Sequence, residues 1–478
     1  MSLASFKKAP MLRPMLNVGC LFDIQTGRYY RGKHGESILN GGFPHFEGIV
    51  GLPNMFKTAI SLYKLGAAMS RYSQSMLQAH DSENTLSIGR IETAFNAFPE
   101  LAELDLHDPE SARFAFSDAS VYQGNEWFDA LKESSKARRG NKEILLTTPF
   151  YNHKSGQFLK IPVPLLSFLD SLSHLSTDSV NAMYDKNEIG ESGLNMVNMK
   201  GSNVKSQMIE QITNVTSSGG IYSIMTGHVG EQYQLDMYKP AVKRLKFLKG
   251  DLKLKKIPEN FSFLTSNCWY CASVSILLSS DKEVEFPRNK EDDMKGDTDL
   301  IAVSVINLRG KHGPSGIPFD IVISQSEGVK VGLTEFLYIK QGGRYGIGGN
   351  VQNFHIALYP DVNLTRRTIR QKIEDDKKLQ RALTITSEML QMRMMWHHLE
   401  DELVCTPEQL YKELKEKGYD WDLLLNTRGY WTFQEDKNPM PFLSTMDLLR
   451  MRVGKYHPYW YPKTLEEMNL PPLIKDEE

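Results

Sequence analysis

Eight consecutive residues carry the clearest chemical pattern in this sequence. They follow an apolar run at 46–50, precede a helical pattern at 59–72, and read Gly51, Leu52, Pro53, Asn54, Met55, Phe56, Lys57 and Thr58. A strand, a tight loop ending in Lys-Thr and a helix are typical of a phosphate-binding P-loop, because loop amides and a helix N-terminus attract anions. Lys57 is predicted to reach the β- and γ-phosphates of a triphosphate, and Thr58 to bind Mg²⁺. Phe56 replaces the usual glycine, and the alternative is a solvated first-turn lysine.

Carboxylates follow two other predicted strands. The segment 75–80 is followed by an Asp-Ser-Glu triplet whose last residue is Glu83. The apolar segment 163–169 is followed by Asp170. Open α/β sheets place their chemistry at the carboxyl ends of strands. Glu83 could therefore orient a water in line with a γ-phosphate, although the triplet could equally cap a helix. Asp170 is predicted to hold Mg²⁺ opposite Thr58, as the carboxylate of a Walker B strand does.

A third buried pattern, at 220–227, ends in His228. An imidazole at this edge could sense the γ-phosphate and pass its state to the following loop. A structural histidine at a strand end is the alternative interpretation.

The segment after His228 is unusually basic. Between residues 239 and 256 one acid, Asp251, stands among eight cations: Lys239, Lys243, Arg244, Lys246, Lys249, Lys253, Lys255 and Lys256. The aromatic residues Tyr233, Tyr238 and Phe247 are interleaved or adjacent. Cations neutralise phosphates, and aromatic side chains stack on bases at ~1–3 kcal/mol each. This segment is therefore the best nucleic-acid candidate, with an ordinary solvated charge run as the alternative.

Bulk composition narrows the class of protein. The 478 residues suffice for two or three domains, and a formal net charge of −2 means that any nucleic-acid site must be a local patch. Four cysteines are too few for a disulfide framework, and Cys268-x-x-Cys271 lacks the second pair of a zinc site. The N-terminus has no secretory signal and no window is long and apolar enough to span a membrane, so we expect a soluble intracellular protein.

The elements that position these residues alternate between strand and helix, and hairpins follow. This order predicts an α/β fold with a mostly parallel central sheet and an antiparallel extension. We expect a leader at 1–45, a core at 46–360 and a smaller, mainly helical C-terminal domain at 365–478. Arg309 and Lys311 fall on a turn at the sheet edge, where two cations can reach a neighbouring subunit's nucleotide.

The motifs, in this order, resemble the RecA/UvsX family of recombinases, and the phage UvsX branch more than bacterial RecA. In that branch phenylalanine also precedes the P-loop lysine, and the catalytic glutamate closes a strand-end Asp-x-Glu. Its Walker B strand ends in Asp-Ser before an apolar residue, as in Asp170-Ser171-Leu172, and its sensing strand ends in histidine. The resemblance covers roughly residues 40–345. A predicted hairpin at 143–159 and the long basic segment depart from the family pattern.

The resemblance implies a RecA-like P-loop ATPase that uses ATP and Mg²⁺, with Glu83 orienting water, His228 sensing the nucleotide, and Arg309 and Lys311 acting in trans. It implies two DNA-binding loops, at about 174–205 and 229–262. The expected DNA contacts are Lys200, Lys205, Lys239, Lys243, Arg244, Lys246 and Lys249.

The implied activity is DNA-stimulated ATP hydrolysis by a helical filament on single-stranded DNA, which pairs with homologous duplex and exchanges strands. Single-strand-binding and mediator proteins are the implied partners, and a phage protein would act in the host cytoplasm. Two alternatives stay open: a DnaB-type hexameric helicase, and a RecA-like protein that coats DNA without hydrolysing ATP.

Overall fold

The computed structural model describes residues 12–108, 110–184, 194–231, 245–279, 281–288 and 297–462. In chain order the strands are β1 (Arg28–Arg31), β2 (Ser37–Asn40), β3 (Phe46–Gly51), β4 (Met76–Asp81), β5 (Phe114–Asp118), β6 (Leu145–Asn152), β7 (Gln157–Pro162), β8 (Leu165–Asp170), β9 (Ile221–Glu231), β10 (Leu252–Lys255), β11 (Asn267–Ile276), β12 (Leu300–Gly310), β13 (Pro318–Ser324), β14 (Gly328–Val329), β15 (Ile347–Gly349), β16 (Phe354–Ile356) and β17 (Tyr359–Leu364).

The helices are α1 (Phe22–Thr26), α2 (Lys57–Arg71), α3 (Ile88–Phe95), α4 (Gly124–Arg138), α5 (Asp178–Tyr184), α6 (Leu194–Gly219), α7 (Phe261–Leu264), α8 (Val331–Gln341), α9 (Ile369–Asp375), α10 (Lys377–Met395), α11 (Pro407–Glu416), α12 (Trp421–Leu425) and α13 (Thr445–Arg452). None of these described helices combines the length and apolarity that crossing a membrane requires.

One ten-stranded sheet organises the chain, in the order β14-β13-β12-β11-β3-β9-β8-β4-β5, with β10 paired to β9. The strands from β11 to β5 in this order are parallel, and β12, β13, β14 and β10 add antiparallel pairs. Strands β3 and β8 are buried along their whole length, as expected for parallel strands covered on both faces. The predicted α/β fold, with a mostly parallel sheet and an antiparallel extension, is confirmed.

The strand register brings distant sequence positions to one edge of the sheet. Gly51, at the end of β3, pairs with His228 of β9. Asp81, at the end of β4, pairs with Asp170, at the end of β8. Because neighbouring parallel strands end together, the residues that follow them must share this edge, which we call the carboxyl edge.

The leader and the C-terminal helices pack into the same hydrophobic core as the sheet, which runs from Leu16 to Tyr461. Gln391 and Trp396, at the end of α10 and just after it, donate to the carbonyls of Leu21 and Ile24 in the leader at 2.8 and 3.3 Å. The predicted boundaries at residues 45 and 365 fall within this packing, and the division into separate domains stays a prediction.

The sequence also made predictions for two segments outside the central sheet. The predicted hairpin near 143–159 forms as β6 and β7, paired antiparallel. The first implied DNA-binding loop, at about 174–205, is largely helical where the structure describes it, as α5 and the first turns of α6. Ile209 and Ile212 of α6 are buried against β9 and its neighbours, and this apolar face stabilises a helix that the Asn- and Ser-rich composition concealed.

Candidate nucleotide-binding site

The P-loop pattern folds as a strand, a loop and a helix. Strand β3 ends at Gly51 and α2 begins at Lys57. Asn54 and Phe56 take left-handed backbone conformations, with φ of 60° and 55°. This is the conformation that glycine adopts at little cost and that costs other residues roughly 1–2 kcal/mol, so Phe56 fills a position where glycine would be less strained. In the part of the chain that the structure describes, the amides of Asn54 and Phe56 donate to no acceptor, which leaves them free for an anion.

Lys57 is a buried residue and not a solvated first-turn lysine. Its ammonium donates to the Leu52 carbonyl at 2.9 Å, across the loop. Burial lowers the pKa of Lys57, while Cys271, Asp170 and Glu83 oppose that shift. The ammonium thus lies beside the carboxyl edge with its charge partly stabilised by carboxylates.

Thr58 and Asp170 meet although 112 positions separate them in the sequence. The Thr58 hydroxyl donates to Asp170 Oδ2 at 2.7 Å, and the Thr226 hydroxyl donates to Asp170 Oδ1. Burial raises the pKa of Asp170, and the two hydroxyl bonds counter the rise. A hydroxyl and a carboxylate side by side are the oxygen ligands that Mg²⁺ prefers, so these residues fit the predicted ion.

Glu83 lies at the centre of a second polar cluster. Its Oε1 accepts from His174 Nδ1 at 2.7 Å, from His228 Nε2 at 3.0 Å and from the Ser171 hydroxyl. These donors, His228 first, lower the pKa of Glu83 to about 2 against the effect of burial. The carboxylate is therefore ionised and held in place by three side chains.

The local backbone also positions Glu83. The Asp81 carboxylate accepts from the amides of Glu83 and Leu86 at 2.9 and 2.5 Å. The N-cap of α3 is Ser87, whose hydroxyl accepts from Arg90. The Asp-Ser-Glu triplet therefore folds into a turn before the helix and does not cap it.

Sequence reasoning missed three members of this edge: Thr226, Ser171 and His174. Ser171 is the residue after Asp170 and His174 is four positions after it, and Thr226 precedes His228 by two positions. Their nearness to two predicted strand ends was a usable signal. The ligand atoms of Glu83, His174 and His228 all lie within 4.8 Å of one another, and such nitrogen and oxygen donors suit a transition metal.

His228 lies within a strand and not at its end, because β9 continues to Glu231. Lys255 of β10 is its antiparallel partner. Lys255 belongs to the lysine-rich segment predicted to bind DNA, so His228 pairs directly with that segment.

The predicted DNA contacts fall into three groups. Lys246 and Lys249 are exposed between β9 and β10, and Lys200 is exposed on α6. Lys239, Lys243 and Arg244 lie outside the described residues. Lys205 differs from the rest, because its ammonium is buried and donates to the carbonyls of Leu172 and Ser173 at 2.8 and 3.2 Å. Lys205 is therefore a structural lysine here and presents no charge to a solvent-side phosphate.

Arg309 and Lys311 do not join the carboxyl edge. Arg309 pairs with Cys268 of β11, which pairs in turn with Gly48 of β3, three residues before the P-loop begins. The Lys311 amide donates to the Ser266 carbonyl, and the Ser266 amide donates to the first residue of β3, at 3.2 and 2.9 Å. Both cations therefore lie at the opposite edge of the sheet, which we call the amino edge.

All four cysteines are buried and free. Cys271 packs beside Gly51, and burial raises its pKa to about 12 despite the nearby Lys57. Cys268 and Cys271 therefore pack on β11 directly beside the P-loop strand.

No family model matches the chain, and no curated protein matches it in sequence. Two of the solved structures that are similar to it are a DnaB-like replicative helicase, described with its interactions with primase, and the RadB recombinase. The helicase is 11% identical with a TM-score of 0.34, covering 68% of this chain and 65% of its own. RadB is 15% identical with a TM-score of 0.31, covering 60% of this chain and 92% of its own.

Proposed function

We propose that this chain is an ATP-dependent recombinase that polymerises on single-stranded DNA and pairs it with homologous duplex. One observation carries the proposal: Lys57, Thr58, Glu83, Asp170 and His228 gather at one sheet edge although they come from four strands. Two segments with exposed lysines begin beside that edge, after β8 and within β9. The proposed triphosphate-binding site and the proposed DNA-binding surface would therefore lie next to each other.

Nucleotide binding would use the free amides of the P-loop and the Lys57 ammonium for the phosphates. Thr58 and Asp170 would hold Mg²⁺, which neutralises charge on the β- and γ-oxygens when it is bound. Asp170 is kept in place by the Thr58 and Thr226 hydroxyls.

Hydrolysis would use Glu83. Its carboxylate can accept a hydrogen bond from a water in line with the γ-phosphate, and the low pKa keeps it ionised at neutral pH. His228 would report the nucleotide state to β10 and the basic segment, through its register pair with Lys255.

Arg309 and Lys311 would complete the site in trans. They lie at the amino edge of their own sheet, so a second copy must bring its carboxyl edge to them. Such a head-to-tail contact generates a helical filament or a closed ring.

The proposed DNA contacts come from both segments. Exposed Lys200 and the exposed lysines of the segment around β10 are available for phosphates, and the part-exposed Phe247 for a base. Lys239, Lys243 and Arg244 belong to the same proposal on the evidence of sequence.

The test is phosphate release from ATP by the full-length protein, with and without single-stranded DNA. We expect stimulation by DNA in the wild type and its loss in Lys57→Ala, while Lys412→Ala, which removes an exposed lysine of α11, behaves as the wild type. Full stimulation in Lys57→Ala would reject the site.

Electron microscopy with ATP and DNA separates the alternatives. Helical filaments support a recombinase, and closed rings support a DnaB-type helicase. Filaments without phosphate release in any condition would support a DNA-coating protein that does not hydrolyse ATP.

A further inference from the structure

Glu83 is contacted from both proposed DNA-binding segments. His174 is the first residue of the first segment and is half exposed, and His228 leads into the second and is mostly buried. Their rings lie 5.2 Å apart and nearly perpendicular. Because a carboxylate only accepts hydrogen bonds, His174 Nδ1 and His228 Nε2 both donate, and both donate to the same oxygen, Oε1.

This arrangement occupies one of the two carboxylate oxygens of the proposed general base. The Ser171 hydroxyl is a third donor to Oε1, so the lone pairs of that oxygen are directed at protein groups. A carboxylate whose pKa is lowered to about 2 by such donors is also a weak acceptor for a proton of water. Glu83 is therefore held through Oε1 by three protein donors in this structure.

The turn that carries His174 is tied to both segments. Lys205 of α6 donates to the carbonyls of Leu172 and Ser173, the two residues before His174. The Ser173 hydroxyl accepts from the His228 amide at 2.8 Å and donates to the Lys255 carbonyl at 3.0 Å. A displacement of α6 or of β10 must therefore move the backbone next to His174.

We propose that His174 is a positioning residue which, with His228, latches Glu83 away from the attacking water until DNA displaces the two segments. The inference rests on the proposed function, because it assigns the DNA dependence of hydrolysis to this contact. Lys205 relays the position of α6 to the latch and does not itself bind a phosphate.

The experiment measures ATP turnover by full-length protein with and without single-stranded DNA, in the wild type, His174→Ala and His174→Asn. Removing the imidazole takes away one of the three donors that hold Oε1, so we expect DNA-free turnover to rise on the order of tenfold, equivalent to ~1.4 kcal/mol. The ratio of DNA-stimulated to DNA-free turnover falls correspondingly. Asparagine offers an amide donor near the place of Nδ1, so His174→Asn keeps the wild-type ratio.

His107→Ala is the matched control. His107 is an exposed histidine that contacts Glu92 at 3.0 Å, far from the carboxyl edge in sequence, and its loss leaves both rates unchanged. Thermal unfolding of each variant checks that the fold is kept. We expect the fold to be kept because the His174 side chain is half exposed.

The outcomes separate the two levels of inference. A wild type without DNA-stimulated turnover rejects the proposed function. A stimulated wild type whose two rates are unchanged in His174→Ala, or whose DNA-free rate falls in that variant, overturns the latch and leaves the proposed function standing.

Discussion

The two edges of the sheet differ in how their charges are balanced. At the carboxyl edge, each carboxylate accepts hydrogen bonds from neighbouring donors: Asp170 from Thr58, and Glu83 from two histidines. At the amino edge, like charges gather. Burial lowers the pKa of Lys311, and Arg309 and Arg13 lower it further; His312 is affected in the same way by burial and then by Arg28.

This difference indicates which edge lacks a partner. Neither Arg309 nor Lys311 forms an ion pair within the described residues, and Arg309 Nε is buried without a hydrogen-bond acceptor there. Uncompensated cations are costly unless an anion arrives. Under the proposed function, the amino edge would receive the triphosphate that the carboxyl edge of another copy holds.

The largest effect on turnover is expected from removing the two cations of the amino edge. Arg309→Ala with Lys311→Ala is expected to lower DNA-stimulated turnover on the order of 10³-fold, the lower end for a trans-acting arginine. An equimolar mixture with Lys57→Ala should recover activity, because some interfaces then join an intact P-loop to intact cations. Random mixing makes about a quarter of head-to-tail interfaces competent.

The mixture decides between cis and trans action. If the cations acted on their own chain's nucleotide, both variants would stay inactive after mixing. Lys412→Ala mixed with Lys57→Ala gives the reference for dilution alone.

The carboxyl edge is tested by Glu83→Gln. Loss of the carboxylate is expected to lower turnover on the order of 10²-fold or more, the typical contribution of a general base. ATP binding should persist, because Lys57, Thr58 and Asp170 are unchanged. Turnover and nucleotide binding are measured together, with Glu92→Gln as the exposed control; equal loss of binding and turnover would assign Glu83 a structural role.

Residues of the carboxyl edge could be predicted from the sequence because a neighbouring apolar segment marks the position of each. Each predicted site residue lies at or shortly after the end of an apolar segment, and parallel pairing then brings the segment ends together. Thus Lys57, Glu83 and Asp170 could be predicted without knowing the strand order. The nearness of His174 to Asp170 made it a candidate, but its contact with Glu83 could not be predicted, because that contact depends on how the turn after Asp170 folds.

The burial of an individual lysine side chain could not be predicted from the sequence. Lys205 stands in a polar segment that resembles a loop, and its burial follows from the packing of α6 against the sheet. In the leader, Leu16, Val18 and Phe22 are fully buried in the main core. Both are tertiary properties that composition over a short window does not encode.

The lysines themselves offer a finer test beside the carboxyl edge. Exposed Lys246 and Lys249 should each contribute about one phosphate contact, so their joint replacement by alanine lowers the salt slope of DNA affinity by about 2. Lys205→Met should leave that slope unchanged because its ammonium is buried. DNA affinity is measured across a salt series, and a lower slope in Lys205→Met would restore Lys205 as a DNA contact.

The smallest expected effect concerns the charge of Lys205 itself. Burial and the neighbouring Lys256 lower the pKa of Lys205 to about 8, from 10.5 in the unfolded chain. Between these values the unfolded state binds more protons, so the free energy of unfolding rises with pH by up to ~1.4 kcal/mol per unit. Below about pH 8 both states are protonated and the full penalty of the buried charge is present.

Lys205→Met lacks this dependence. Denaturant unfolding of both proteins should therefore show the wild type gaining on the variant as pH rises through about 8 toward 10.5. Lys249→Met is the control, because Lys249 is exposed in the folded protein. Its free energy of unfolding should change with pH in the same way as that of the wild type. Parallel curves for the wild type and Lys205→Met would mean that the ammonium reaches solvent, and would remove the physical reason for separating Lys205 from the exposed lysines around β10.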